Sequence, residues 1–302
     1  FSAIFVLLTV LIISAGVDLG VGRIINKKMP SLFILMSALI IYVLTQDGAM
    51  EGLKHYLVPD FSQITNPDLI VSAMGQAFFS MSLGVGTMLV YGSYIRADEN
   101  LPTVGALVTL TDMSVAFLAG LLVLPAIFVA QNLGVTIYAE SGNLIAGPDL
   151  IFQVLPALFE GMGATGLFVG FAFFVLMSIA AVTSSISMLE VPVSYAVEAH
   201  NIDRNKATWL VGLILFAISA TICLNFEALF GFVITLTTER AQPLLSMMLC
   251  IFAGWVFYRN SILEELKSGN PDVESGIFWK IWPVYVKFIC PVLIVVIFVH
   301  SF

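Results

Sequence analysis

Residues 75–94 read GQAFFSMSLGVGTMLVYGSY and lie within a longer apolar run at 69–96. That run has the length of a membrane-spanning helix, since about 20 mostly apolar residues cross a bilayer. Its middle, SMSLGVGT, nevertheless contains two serines, a threonine and two glycines. In hydrocarbon every backbone N–H and C=O needs a partner, so a break is tolerated only where protein or a water-filled cavity receives the freed groups. Two interpretations follow: a helix broken to bind a ligand, or a small-residue packing face.

The composition of the chain predicts that the lipid bilayer is its solvent. Of 302 residues, 59% are hydrophobic and 11% are charged, whereas soluble domains average about 25% charged residues. The net charge of −8, without a basic cluster, argues against nucleic-acid binding.

The apolar runs predict eight transmembrane helices. They lie at 1–20, 30–46, 69–96, 104–133, 164–198, 206–224, 227–257 and 278–302. Because the sequence starts inside the first run, we expect the N-terminal part of a longer protein to be missing from this chain.

The basic residues predict the orientation of these spans, because Lys and Arg accumulate in cytoplasmic loops. With the loop of Arg23, Lys27 and Lys28 placed inside, alternation puts six further basic residues on the same side: Arg96, Arg204, Lys206, Arg259, Lys267 and Lys280. The extracellular loops are then 47–68 and 134–163, and the second is expected to form short helices.

A second polar island, AAVTSSIS, occupies residues 180–187 of another span. Its hydroxyls can hydrogen-bond to carbonyls of their own helix, as Ser and Thr often do. Alternatively, the carbonyl of Ala180 and the hydroxyls of Thr183 and Ser184 form a hard-oxygen site for a small cation, since they lie on neighbouring positions of one helix face. The residues alone leave both interpretations open.

Asp112 is a carboxylate inside the span 104–133. It lies about 12 Å from the start of that span at a helical rise of about 1.5 Å per residue. A buried intramembrane charge is costly and suggests function. A bound cation or a proton is its natural partner, and a hydrated position near the cytoplasmic interface is the alternative.

These features, in this order, resemble the neurotransmitter:sodium symporter family. GQAFFSMSLGVGTMLVYGSY resembles the family's unwound sixth helix, AGLLVLPAIF its seventh and SIAAVTSSISMLEVPVSY its eighth. GPDLIFQVLP resembles the outer loop before the eighth helix, and PVYVKFICPVLIVVI the last helix of bacterial members with eleven spans. The resemblance implies an all-α integral membrane fold: part of a leucine-transporter-type inverted-repeat bundle, helices 4 to 11, with helices 1 to 3 missing and one helix unwound near 82–86.

The resemblance also implies a substrate site. Phe79 matches the aromatic residue that shields the substrate, and the carbonyls of Phe79 and Ser80, with Ser82, match the groups that receive its amino end. The remaining matched positions are Val85, Ser184 and Met188 in the pocket and Gln76 at the outer gate. Bacterial leucine carriers have an aromatic residue where Val85 stands. The smaller Val and the adaptable Met favour a larger apolar or aromatic amino acid.

Two sodium sites are implied in the same way. Ser80 and Asp112 match the first, where many members have Asn in place of Asp112. Ala180, Thr183 and Ser184 match the second. Ala116 replaces the Ser or Glu found one turn beyond Asp112, so the charge of Asp112 is expected to make chloride unnecessary.

The resemblance implies a sodium-coupled symporter, not an enzyme, that imports an amino acid across a bacterial inner membrane by alternating access. Asp112 keeps a proton-coupled carrier of the same fold open as an alternative, and a transport-dead sensor homologue is another. An intramembrane enzyme is disfavoured, because His55, His200 and His300 form no HExxH motif. Assembly as a homodimer is left open.

Overall fold

The computed structural model describes residues 2–16, 22–138, 144–145 and 147–300. Outside this description lie parts of the predicted runs 1–20 and 278–302 and of the loop 134–163. The side chains of three basic residues used for orientation, Arg23, Lys27 and Lys28, also lie outside it.

The described residues are helical apart from turns, loops and an isolated bridge between Tyr138 and Leu144. The helices are α1 (Ser2–Ser14), α2 (Arg23–Leu44), α3 (Ala49–Leu57), α4 (Pro67–Ser80), α5 (Thr87–Ser93), α6 (Leu101–Asn132), α7 (Gly147–Asp149), α8 (Leu155–Gly161), α9 (Ala164–His200), α10 (Arg204–Leu224), α11 (Phe226–Ile234), α12 (Gln242–Ile251), α13 (Arg259–Gly269), α14 (Ile277–Val284) and α15 (Cys290–His300). Wider π-helical turns join α7 to α8, α11 to α12 and α14 to α15, and another extends α12 to Val256. The predicted all-α fold is therefore confirmed for the described part of the chain.

The lengths of these helices bear on the predicted spans. Among the described residues, four helices are long and apolar enough to cross a membrane: Leu101–Asn132, Ala164–His200, Arg204–Leu224 and Ile277–Val299. The number is six if each of two bent pairs, Met29–Leu44 with Ala49–Gln63 and Phe226–Val256 with Arg259–Gly269, counts as one span. The other two predicted runs contain α1, which is short, and the pair α4 and α5. The count of eight spans stays a prediction.

The chain divides into two units, and each has its own packing. One unit comprises 17–61 and 113–185. Its core is a cluster of buried apolar side chains that includes Leu39, Leu122, Phe159 and Phe173. Short helices α7 and α8 occupy the loop 134–163, as predicted from the sequence.

The other unit comprises 1–16, 62–112 and 186–302. Here α1 packs on α10, with Gly212 lying directly against Val10, and α12 packs on α15. This unit contains both halves of the predicted broken helix, α4 and α5.

Candidate functional site

The predicted break in the run 69–96 is present in the backbone. Helix α4 begins after Asn66, whose side chain accepts a hydrogen bond from the N–H of Asp68, and it ends at Ser80. Helix α5 begins at Thr87. Between them, Ser82, Gly84 and Gly86 have φ values of 51°, 81° and 88°. Left-handed backbone of this kind is easy for glycine and costly for other residues, so these residues end one helix and start the next.

The hydrogen-bond ladder changes character across this break. The N–H of Ser82 donates to the Phe79 carbonyl at 2.9 Å, which is a tighter turn than an α-helix makes. No backbone N–H of the described residues donates to the carbonyl of Ser80. That oxygen is therefore available to a ligand, which is how broken membrane helices bind cations.

Gly84 sits against α12. A Cβ atom on Gly84 would lie 2.3 Å from the carbonyl oxygen of Gln242 and 2.3 Å from Oγ of Ser246. The buried Gln242 Nε2 and Ser246 Oγ have no hydrogen-bond partner among the described residues. The break is thus packed against a second polar patch, which the sequence did not reveal because Gln242 and Ser246 are distant along the chain.

Ser80 and Asp112 are brought together by α4 and α6. The Ser80 hydroxyl donates to Oδ2 of Asp112 at 2.8 Å, and both residues are half-buried. The two side chains supply a carboxylate and a hydroxyl, and Ser80 also has the carbonyl that lacks a backbone donor. These are the hard oxygen donors that alkali and alkaline-earth cations prefer.

The other predicted substrate residues of this unit have mixed exposure. Phe79 is 53% exposed and Met188 is 55% exposed, and Gln76 is also exposed. Ser82 and Val85 are half-buried within the break. The backbone hydrogen bond from Ser82 links it to Phe79. Among the described residues, no side-chain hydrogen bond or ring contact joins Phe79 or Met188 to another predicted substrate residue, so their roles stay predictions.

The polar island of α9 leaves its helix intact. Helix α9 runs without interruption from Ala164 to His200. The hydroxyl of the buried Thr183 donates to the Ala180 carbonyl at 2.9 Å, and Ser184 is exposed. Thr183 thus adopts the back-bonded arrangement. The same hydrogen bond holds two of the three predicted sodium ligands, the Ala180 carbonyl and the Thr183 hydroxyl, side by side.

A buried ion pair was missed by sequence reasoning. Glu190 of α9 is fully buried, and Arg204 donates from Nη2 to its two carboxylate oxygens at 2.9 and 2.7 Å. Tyr94 donates to the same carboxylate at 2.7 Å. Arg204 also donates from Nε to the carbonyl of Ile13, near the end of α1, at 3.3 Å.

The signal for this pair was present in the sequence. Glu190 lies in an apolar run, and such a carboxylate needs a partner. Arg204 follows it by 14 residues. The sequence did not show that α10 folds back against α9, and this packing is what brings Arg204 to Glu190.

Comparisons with known proteins add evidence on the family and the fold. A family model described as the sodium:neurotransmitter symporter family matches residues 2–302. An uncharacterized sodium-dependent transporter of Haemophilus influenzae is 34% identical over 100% of this chain, and YhdH of Bacillus subtilis, also an uncharacterized sodium-dependent transporter, is 33% identical over 98% of it.

A solved structure is similar as well. The crystal structure of MhsT in complex with L-phenylalanine matches 99% of this chain with a TM-score of 0.82 and 34% identity, over 67% of the MhsT chain. The present chain spans 65% of the length of each of the two bacterial relatives.

Proposed function

Because this chain belongs to the sodium:neurotransmitter symporter family, we propose that it forms part of a sodium-coupled symporter that imports an amino acid. The family resemblance and the predicted leucine-transporter-type fold are confirmed by the family model and by the similarity to MhsT. The chain is accordingly an integral membrane protein of a transporter family. We propose the inner membrane of a bacterium as its location and residues 1–302 as helices 4 to 11 of the family.

The observation that carries the proposal is the cluster at the break. The Ser80 carbonyl lacks a backbone donor, and the Ser80 hydroxyl bonds to Asp112. A carboxylate at this depth needs a counter-charge. A sodium ion held by Asp112, the Ser80 hydroxyl and the free carbonyl would supply it. This donor set fits sodium, which enters as a transported substrate.

A second sodium ion is proposed on α9. The Ala180 carbonyl and the Thr183 hydroxyl are already 2.9 Å apart, and Ser184 follows in the sequence. All three donors are neutral oxygens, so this site would hold sodium more weakly than a site with a carboxylate. We expect the weaker site to release its ion first.

Coupling between ion and substrate follows from a shared stretch of backbone. The proposed substrate contacts, the carbonyls of Phe79 and Ser80 with the side chain of Ser82, belong to the same break that would bind the first ion. Ordering this stretch around sodium lowers the conformational cost of binding the substrate's ammonium group. By linkage, the substrate raises the sodium affinity by the same factor.

The proposed substrate is a larger apolar or aromatic amino acid. Val85 is smaller than the aromatic residue that bacterial leucine carriers have at this position, and the unbranched side chain of Met188 adapts to different shapes. The similar transporter MhsT has been crystallised with L-phenylalanine, which makes phenylalanine the first compound to test.

We propose that chloride is not required. Asp112 supplies a fixed negative charge beside the first ion site, and Ala116 offers no hydroxyl to an anion. A proton-coupled carrier is the second candidate, since Asp112 can also bind a proton. The hydroxyl of Ser80, which donates to Asp112, places a second oxygen ligand beside the carboxylate, and a set of several oxygen donors favours sodium over a proton.

The test uses the gene product that contains this chain, reconstituted in liposomes. Uptake of L-phenylalanine should require an inward sodium gradient and should persist when chloride is replaced by gluconate. Uptake driven by a proton gradient without sodium would establish the second candidate. Strict chloride dependence would refute the proposed role of the Asp112 charge.

A thermal-shift screen of all amino acids, with and without sodium, separates a carrier from a sensor. A carrier binds and transports the same amino acid. Sodium-dependent binding without uptake would identify the transport-dead alternative.

A further inference from the structure

A pocket of about 300 Å³ lies where the π-helical extension of α12 and the start of α13 approach α14 and the π-helical turn that follows it. Its lining combines two cations with aromatic rings and backbone: Gly254, Phe257, Arg259, Trp282, Lys287 and Phe288. A Cβ atom on Gly254 would lie 3.1 Å from Cα of Lys287. The absence of a side chain at Gly254 therefore lets the two segments meet and sets Lys287 in the pocket wall.

Neither cation of this pocket forms an ion pair within the described part of the chain. Nζ of Lys287 lies 3.9 Å from the ring centroid of Trp255 and 5.8 Å from that of Phe288. Cζ of Arg259 lies 5.2 Å from the ring centroid of Trp279. Cation–π contacts orient both groups but leave their positive charge uncompensated.

A lysine without an ion pair is unusual at the position of Lys287. It follows Ile277, the start of the apolar segment Ile277–Val299, by about 15 Å at a rise of about 1.5 Å per residue. A lysine at such depth is costly unless its ammonium group reaches the interface or meets an anion. The pocket gives it a second cation as neighbour, which raises the need for an anion further.

The aromatic residues indicate that the opening of this pocket reaches the level of the lipid headgroups, and Lys287 extends from within the apolar segment toward Trp255 at that opening. Trp and Tyr concentrate at membrane–water interfaces, and Trp255 and Tyr258 are 58% and 80% exposed beside the pocket. The positive-inside pattern puts Arg259 on the cytoplasmic side. Anionic lipids give that leaflet a negative surface, and basic pockets between transmembrane helices bind their headgroups.

We propose that this pocket binds the phosphate of an anionic phospholipid, with Lys287 and Arg259 as its cationic ligands. The start of α13 adds to the attraction. Arg259 is its first residue, and its N-cap, Tyr258, offers no side-chain hydrogen bond to the helix. The first N–H groups of such a helix carry a partial positive charge that favours anions. The exposed rings of Trp255 and Phe288 provide an apolar surface for the acyl chains.

The experiment measures tryptophan quenching by brominated lipids. The gene product that contains this chain is reconstituted in bilayers that mix phosphatidylcholine with dibrominated phosphatidylglycerol, and then with dibrominated phosphatidylcholine. The wild-type protein should prefer phosphatidylglycerol. Lys287→Gln should reduce that preference about fivefold, the effect of one basic group at a lipid surface, and Lys287→Arg should retain it.

Lys280→Gln is the matched control, because Lys280 is an exposed lysine of α14 that does not line the pocket. It should leave the preference unchanged. An equal loss in Lys280→Gln and Lys287→Gln would overturn the proposal, since the preference would then reflect general surface charge. An unchanged preference in a folded Lys287→Gln protein would also overturn it.

The last measurement repeats the quenching experiment in the presence of inorganic phosphate. Millimolar phosphate that abolishes the preference for phosphatidylglycerol would show a site for a soluble anion and overturn the assignment to lipid. A preference that survives phosphate supports the lipid.

Discussion

Two apolar segments of this chain contain similar polar stretches. Helix α9 is continuous through its polar stretch, whereas the other segment is interrupted and forms the two helices α4 and α5. The α9 island, AAVTSSIS, has four hydroxyl residues and no glycine, whereas SMSLGVGT has three hydroxyl residues and two glycines. In α9 the Thr183 hydroxyl bonds to the Ala180 carbonyl one turn earlier. Between α4 and α5, Gly84 and Gly86 take left-handed backbone instead.

The difference shows that hydroxyl residues alone do not interrupt a membrane helix. Their hydroxyl groups can donate hydrogen bonds to backbone carbonyls of the same helix. Glycine lowers the cost of leaving the helix, and a packing partner then makes the break stable, as Gln242 and Ser246 do for Gly84. The continuous helix can place donors on a fixed face, and the broken one can present free backbone oxygens.

The largest expected effect is a loss of stability when the buried carboxylate of Glu190 in α9 loses its partner Arg204. Arg204→Ala leaves Glu190 buried without its cation, and breaking a buried pair typically costs about 3–5 kcal/mol. The midpoint of thermal unfolding in detergent should fall by about 10 °C. Lys206→Ala, an exposed change on the same helix, should shift it by no more than about 2 °C. Equal shifts would mean that the pair does not support α9.

Gly84→Ala attacks the break itself. The new Cβ would meet Gln242 and Ser246 at 2.3 Å, on backbone with φ of 81°. Overpacking and left-handed strain together predict a loss of about 2–4 kcal/mol in unfolding free energy, together with loss of uptake. Gly75→Ala in α4, where nothing lies within 4 Å of the new Cβ, is the control. A fully active Gly84→Ala protein would show that the observed packing is dispensable.

Asp112→Asn tests whether the broken helix binds its ion through charge. Removing the carboxylate charge should raise the sodium concentration for half-maximal uptake about tenfold, which corresponds to about 1.4 kcal/mol. Ser80→Ala removes only a neutral hydroxyl and should raise it less. If Ser80→Ala has the larger effect, the hydroxyl and not the charge dominates the site.

Thr183→Ala makes the same test on the unbroken helix, where we expect the smallest effect. Loss of one neutral oxygen ligand should raise the half-maximal sodium concentration about fivefold, close to the value of one hydrogen bond. Ser178→Ala is the control, because Ser178 is also back-bonded, to Phe174, and lies outside the proposed ligand set. Sodium dependence that is unchanged in Thr183→Ala would leave the polar island a purely structural feature.

Some features of the fold could be predicted from the sequence and others could not. The break at 82–86 was predictable because glycine and serine act on their own backbone. The short helices in 134–163 were predictable in the same local way. The π-helical turns in 235–241 and 285–289 were not anticipated, since nothing in local propensity separates them from an ordinary helix.

The sequence by itself determined that this chain is helical, that its apolar runs lie in a bilayer and that one of its helices is interrupted. These features depend on apolar runs and glycines, which act over a few residues. Only the tertiary structure decided which carboxylate meets which partner. Asp112 reaches Ser80 across 32 residues, and Glu190 receives both Arg204 and Tyr94. Such pairs depend on which helix faces meet, and meeting faces are a property of the whole packed unit.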